Sequence, residues 1–309
     1  MRRFNAKVLV FNTAVTGTIF VGVGGLMTLK LGLGWWTVAC AVLWLAVLTF
    51  LMRRYIKRAL NPIPPAHINL ILSEMAGFYP ALTQSEQGKI CQDVHWFLIE
   101  QKIIGVGVEV DDTLRVLTAA SAVLLTLGIE DYEWDNTRDI LIYPSAFTED
   151  YEHSRSRGKR LGQVGAQGPI ILSAEALRVG FAKGSDGHNV GIHEFAHVLD
   201  FDDGYFDGLP TNLNWQTLRP WLDVMSRHLK SNLLRHKSNP LRQYAYTNEA
   251  EFFACATEVY FEQPKLLNAQ APELYALLKS FYRQDTLSRA HSLKEKNRAR
   301  RKKQQRERR

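Results

Sequence analysis

The His193-Glu194-Phe195-Ala196-His197 stretch constrains this chain more than any other. Four residues make just over one helical turn, so a helix stacks the two imidazoles on one face. Neutral imidazoles one turn apart can grip a single zinc ion. Glu194 is rotated by about 100° from the first histidine, which puts it near such an ion without binding it. From there its carboxylate can take a proton from an attacking water. Asp186-Gly187 is a turn signal, and Asn189 can cap the helix. Val190, Ile192, Phe195, Ala196, Val198 and Leu199 surround the polar triplet. The spacing predicts a buried helix with one wet face over residues 188–200. The plain alternative is a core helix holding two satisfied histidines.

A catalytic zinc needs a third protein ligand and one open position. The run from Tyr244 to Glu258 offers carboxylates on a second helix, capped by Thr247 or Asn248. Glu249 and Glu251 lie about 160° apart on such a helix and cannot share a face. Glu251, Cys255 and Glu258 do share one, with Glu258 about 10 Å further along the axis. Spacing favours Glu251 and leaves Glu258 as the alternative. Asp200, Asp202, Asp203 and Asp207 follow the first helix, and one of them can orient an imidazole. Their spacing does not match an EF-hand, and a solvated acidic turn is the plain reading.

Around these two helices the body reads as mostly helical with a few short strands. Leu60 to Pro65 is a stiff break. A helix is expected from His67 to Gly77. Thr83-Gln84-Ser85-Glu86 is a capping box opening a longer one to about Lys102. Val106–Val110 is read as a short strand, and Asp111-Asp112-Thr113 as the start of an Ala/Leu-rich helix. Ile140–Pro144 and Pro169–Ser173 are read as strands flanking a charged loop at Tyr151–Arg160, with Ser173 capping a short helix. Helices are also expected over 214–237 and from Pro272 to Phe281. The fold class is therefore α+β, with a small sheet packed on the metal helix and an edge strand able to line a cleft.

Charge divides the chain into three. Residues 1–59 hold eight Lys+Arg and no acid; residues 289–309 hold eleven Lys+Arg and two acids. The body, 60–288, has 19 bases against 29 acids, a balance of −10. The overall +7 thus belongs to the ends, and the body offers no basic surface for nucleic acid. Three scattered cysteines, Cys40, Cys91 and Cys255, suggest neither a disulfide framework nor a Cys-x-x-Cys site.

Residues 8–29 and 31–52 are two uncharged runs, each long enough to cross a bilayer as a helix. Lys30 and a Leu-Gly-Leu-Gly link separate them, and Trp35-Trp36 fall at the interface. Arg2, Arg3 and Lys7 precede the first; Arg53, Arg54, Lys57 and Arg58 follow the second. The positive-inside rule places both ends in the cytoplasm. A cleaved signal peptide is the rival, but it would be shorter and would lack a second span with a basic stop. The expected organisation is a transmembrane hairpin anchor over 1–59, a domain over 60–288, and a basic, disordered or solvated-helical tail over 289–309. The expected place is the inner (cytoplasmic) membrane. Such a tail can lie on anionic headgroups; RNA binding is the rival, though no aromatic residues interleave with its bases.

The motif residues resemble those of the Mlc titration factor A family of gluzincin-type zinc metallopeptidases. The likeness rests on Asp186-Gly187-x-Asn189-Val190-x-x-His193-Glu194-Phe195-Ala196-His197-x-Leu199-Asp200, on Tyr244 with Glu251-Phe252-Phe253-Ala254, and on Ile142-Tyr143-Pro144. It covers most of 66–285. The resemblance implies a zincin-like domain, similar to the catalytic domain of anthrax lethal factor, in which a Glu seven residues after a Tyr is the third ligand. Carried over, Glu251 is that ligand, beside His193 and His197. Tyr244 is the hydroxyl that helps hold the developing oxyanion, with Tyr246 as the alternate. The implied activity is hydrolysis of a peptide or protein substrate with Zn2+, Glu194 acting as general base; endo- or exo-cleavage, including an aminopeptidase mode, is left open. The best-known member binds the sugar-uptake repressor Mlc, so a transcription-factor partner, held at the membrane by a metal-bearing binding protein, is the second reading. A nucleic-acid tether built on the tail is the third. The hairpin and tail depart from the family, whose members are usually soluble.

Overall fold

The computed structural model describes residues 17, 22, 38–47, 62–134, 137, 139–145, 168–209, 215–232 and 240–307. Two compact units are separated at Pro62/Ile63. In the first, residues 38–47 are helical. The two expected spans fall mostly outside the described residues, as does the loop at Tyr151–Arg160. Among the described residues, no helix is long and apolar enough to cross a membrane.

The second unit holds α1 (Pro65–Met75), α2 (Gln84–Glu100), β1 (Ile103–Gly105), α3 (Asp112–Thr126), β2 (Ile140–Tyr143) and β3 (Ile170–Ser173). It continues with α4 (Ala174–Lys183), α5 (Val190–Asp200), α6 (Trp215–Asn232), α7 (Glu249–Glu262), α8 (Pro264–Gln270), α9 (Pro272–Tyr282) and α10 (Thr286–Glu307). The strands form a parallel sheet in the order β1-β2-β3, with Ile140 opposite both Ile103 and Ile170. The architecture is thus α+β and mostly helical.

Several helix starts follow directly from local chemistry. Thr83 and Glu86 close the expected capping box on α2. Ser173, Asn189 and Asn248 each accept a backbone N–H from the first turn of α4, α5 and α7. Each satisfies a donor that the helix itself leaves open.

The first strand differs from the expectation. It is Ile103–Gly105, not Val106–Val110. Val106 still donates to the Ile142 carbonyl at 2.8 Å, but Gly107 at φ +71° then turns the chain away from the sheet. Alternating valines alone do not fix where a strand begins. Of the two forms expected for the tail, the helical one is seen: α10 runs to Glu307 and starts before residue 289. Arg289 is largely buried there, donating to Gln284 Oε1 at 2.7 Å and pairing with Glu86 at 2.5 Å.

α5 runs through the middle of the core. Its closest-packed partner is α7, followed by α3. Gly191 permits the approach to α3: a Cβ there would stand 2.0 Å from Ser121 Oγ. Phe195 points into an aromatic group with Phe97 and Trp134, at centroid distances of 5.9 and 5.4 Å. The metal helix is therefore wedged between α3, α4, α7 and β3, a setting that fixes its side chains far better than a surface helix could.

Candidate metal centre

α5 carries His193, Glu194 and His197, all buried. One turn apart on one face, the two imidazoles bring their Nε2 atoms to 3.2 Å. Glu251, in the first turn of α7, sends Oε2 to 3.0 Å from His193 Nε2 and 3.5 Å from His197 Nε2. Three donors each roughly 2.0–2.1 Å from a tetrahedral ion would lie about 3.3 Å apart. The observed triangle of 3.0, 3.2 and 3.5 Å fits that requirement. Two ring nitrogens and a carboxylate oxygen are also the donor types such an ion takes. Glu249, two residues from Glu251, is exposed on the other side of α7.

The electrostatics agree with a place for a cation. Burial alone would push Glu251 up, but the imidazoles of His193 and His197 hold it well below the usual carboxylate range. Burial alone would likewise depress His193, yet Glu258, Cys255 and Glu251 raise it well above the ordinary histidine value. A positive charge is thus favoured where these groups meet. A metal ion held by these residues would supply it in place of a proton.

Glu258 lies two turns after Glu251 and faces the opposite edge of the His193 ring, with Oε1 at 2.7 Å from Nδ1. The same oxygen accepts from Arg242 at 2.8 Å, and Oε2 accepts from the Asn189 amide at 2.7 Å. A carboxylate in that role accepts a hydrogen bond from Nδ1–H and leaves the lone pair of Nε2 facing Glu251 and His197. The alternative ligand of the spacing argument is therefore a buttress on the first histidine.

The aspartates after α5 do not fill that role. Asp203 and Asp207 accept backbone amides of Tyr205 and Leu209, each at 3.0 Å. Asp200 is fully buried, and burial pushes its carboxyl up to about 7. Among the described residues, no hydrogen bond joins Asp200, Asp203 or Asp207 to His193 or His197. Asp200 lies one and two turns beyond the two histidines, and its neighbours are the backbone amides of Gly208 and Leu209.

Tyr244 sits on a 3-10 turn (Gln243–Tyr246) just before α7, half-buried, its ring centroid 6.3 Å from that of His193. Tyr246, the alternate hydroxyl, packs instead toward Phe252 at 6.4 Å. Phe206 packs edge-on to His197 at 6.2 Å. The turn before α5 is tied to the far end of α7: Glu262 Oε2 accepts from the amides of Gly187 and His188 at 2.9 and 3.1 Å. Gly187 makes this possible with φ +78°. Burial pushes the Glu262 carboxyl up to about 7.

Arg242 and the buttress role of Glu258 were not read from the sequence. Glu258 was seen to share a face with Glu251, but nothing local indicated which edge of His193 it meets. Arg242 belongs to no recognisable motif and reaches Glu258 only through the folded turn.

A helix bearing two stacked histidines, packed against a second helix bearing a glutamate and on a small sheet, defines a metallopeptidase-like fold with a candidate metal site. The chain belongs to the family described as glucose-regulated metallo-peptidase M90, which matches residues 50–283. It is 30% identical over 234 residues to the uncharacterized protein slr2042 of Synechocystis, covering 72% of this chain and 85% of the relative. It is 31% identical over 222 residues to Mlc titration factor A of Salmonella arizonae, covering 66% and 86%, and 30% identical over 227 residues to that of Escherichia coli, covering 68% and 83%.

Proposed function

We propose that this protein is a zinc-dependent peptidase. The observation that carries the reading is the triangle of His193 Nε2, His197 Nε2 and Glu251 Oε2, with buried Glu194 next in the chain to the first of them. His193, His197 and Glu251 would hold the ion. Zinc bound there polarises a carbonyl and lowers the pKa of a water. Glu194 takes the proton of the attacking water and passes it to the leaving amine. The Tyr244 hydroxyl, carried on the turn beside His193, donates to the oxyanion as it develops. Glu258 keeps the Nδ1 proton of His193 in place throughout.

Zinc content and peptide hydrolysis of the full chain in detergent, beside Glu194→Gln, test this reading. The variant should keep the metal and lose hydrolysis by about 10²–10⁴-fold, the usual contribution of a positioned base. Undiminished hydrolysis in Glu194→Gln would overturn the assignment.

We further propose that residues 8–52 anchor the protein in the inner membrane with both ends cytoplasmic. The supporting observations are the two uncharged runs with their basic flanks and the outward Val38, Val42, Leu43 and Leu45 of the described helical stretch. Extraction by alkaline carbonate would contradict it. A second reading, regulatory binding of a transcriptional repressor, is favoured by the relatives named Mlc titration factor A. It predicts that the protein retains such a repressor on vesicles whether or not Glu194 is replaced.

A further inference from the structure

Every nitrogen of the Arg242 guanidinium is engaged beside the metal site. Nε donates to Cys255 Sγ at 3.2 Å. One terminal nitrogen donates to His188 Nδ1 at 2.5 Å. The other donates to Glu258 Oε1 at 2.8 Å, the oxygen that also lies 2.7 Å from His193 Nδ1 as its hydrogen-bond acceptor. The guanidinium carbon lies 5.6 Å from the centre of the Tyr244 ring. The Arg242 side chain is 23% exposed and that of Glu258 only 1%, so this pairing is largely shielded from water.

The residues reached by this fork come from separate parts of the chain. Glu258 and Cys255 lie on α7, His188 on the loop that enters α5, and Tyr244 on the turn that leads to α7. A planar guanidinium can meet three acceptors in one plane, whereas a lysine ammonium meets them as a single point. The Glu258 carboxylate is almost wholly shut off from solvent. Without Arg242 its remaining donors among the described residues would be His193 Nδ1–H and the Asn189 amide, and the carboxylate would be held less firmly. The His193 ring would then lose the partner that fixes its tautomer.

We propose that Arg242 is a positioning residue for the metal centre: it acts through Glu258 to hold the Nε2 lone pair of His193 toward His197 and Glu251, and it sets Tyr244 beside them. This rests on the reading of the triad as a metal site, and its test is separable from peptidase activity.

The test uses the full chain in detergent. Zinc affinity is measured by competition with a chelator, and the cobalt-substituted protein supplies a visible spectrum that reports ligand geometry. Arg242→Ala should weaken zinc binding about 10–100-fold, the effect of losing a partner behind a ligand, and should alter the cobalt spectrum. Arg242→Lys should recover only part of the loss. In a Glu258→Gln background, Arg242→Ala should cost little more, because the two act in series. Wild-type zinc affinity and an unchanged cobalt spectrum in Arg242→Ala would overturn the proposal, as would losses that simply add in the double variant. Arg242→Gln, which keeps a donor and most of the bulk, takes the place of the alanine variant in this cycle if the latter does not fold. Absence of peptide hydrolysis by a zinc-loaded wild type would defeat the peptidase reading while leaving these affinities to decide the role of Arg242.

Discussion

His193 and His197 face each other through Nε2 at 3.2 Å, each within 3.5 Å of Glu251 Oε2. Two nitrogens that close repel unless a proton or a cation lies between them, and a bound cation would satisfy both lone pairs and the carboxylate at once. Chelation should therefore lower stability. With free zinc at a thousand times its Kd, linkage gives a difference of roughly 4 kcal/mol. For a domain of this size that is a fall of about 8–16 °C in Tm. Calorimetry with and without chelator measures it, and an unchanged Tm would speak against binding by the folded state.

Glu251→Ala removes the only carboxylate in that triangle. Zinc should be lost from the purified protein while the helices remain, because α7 keeps its Asn248 cap and its apolar packing. Metal analysis beside circular dichroism separates the two effects. Full occupancy without Glu251 would send the search for a ligand elsewhere.

Tyr244→Phe keeps the ring next to His193 and removes the hydroxyl. If the hydroxyl meets only the developing oxyanion, kcat should fall about 10²–10³-fold with KM little changed. A rise in KM alone would assign Tyr244 to substrate binding instead.

Asp200 carries a pH signature in stability. Its carboxyl is pushed from 3.8 up to about 7 by burial, so the folded state holds a proton that the unfolded state has released. Between about pH 4 and 7 the folded protein binds more protons, and stability from this group falls as pH rises. Asp200→Asn stays neutral. Its Tm relative to the parent should climb by a few degrees from pH 5 to 8 in the chelated protein, and scans at both values check the sign. A flat difference would mean that Asp200 is not buried as an acid.

Gly191→Ala places a methyl group 2.0 Å from Ser121 Oγ and 2.8 Å from Leu177 Cδ1. Overpacking of this kind costs about 1–3 kcal/mol. Ser121→Ala should recover part of it. Denaturant unfolding of the two single variants and the double reports the coupling directly.

What could be read in the chain divides along the range of the interaction involved. The caps at Thr83, Ser173, Asn189 and Asn248 act within one helical turn, and the neighbouring residues specify them. His193, Glu194 and His197 were legible for the same reason. Glu251 followed from helical angle and from resemblance. Glu258, Arg242 and the register of β1 depend on which elements meet after folding. No local pattern separates an aspartate three residues beyond His197 from a glutamate 65 residues beyond His193, and only the latter touches an imidazole. Composition left the tail open between disorder and a solvated helix. Its helix starts inside the body, where Arg289 has partners from α2 and from Gln284.

The glutamates at 258 and 262 take the amides of Gly187, His188 and Asn189, so the chain entering α5 is stitched to the far end of α7. Glu251 joins the same two helices at the near end of α7. Neither helix can swing away alone without breaking both seams. An ion seated between them would not leave by the rotation of one side chain; it would wait for the pair to part. Its residence time should then track the rate at which amide protons of α5 and α7 exchange with solvent, two clocks read from one motion.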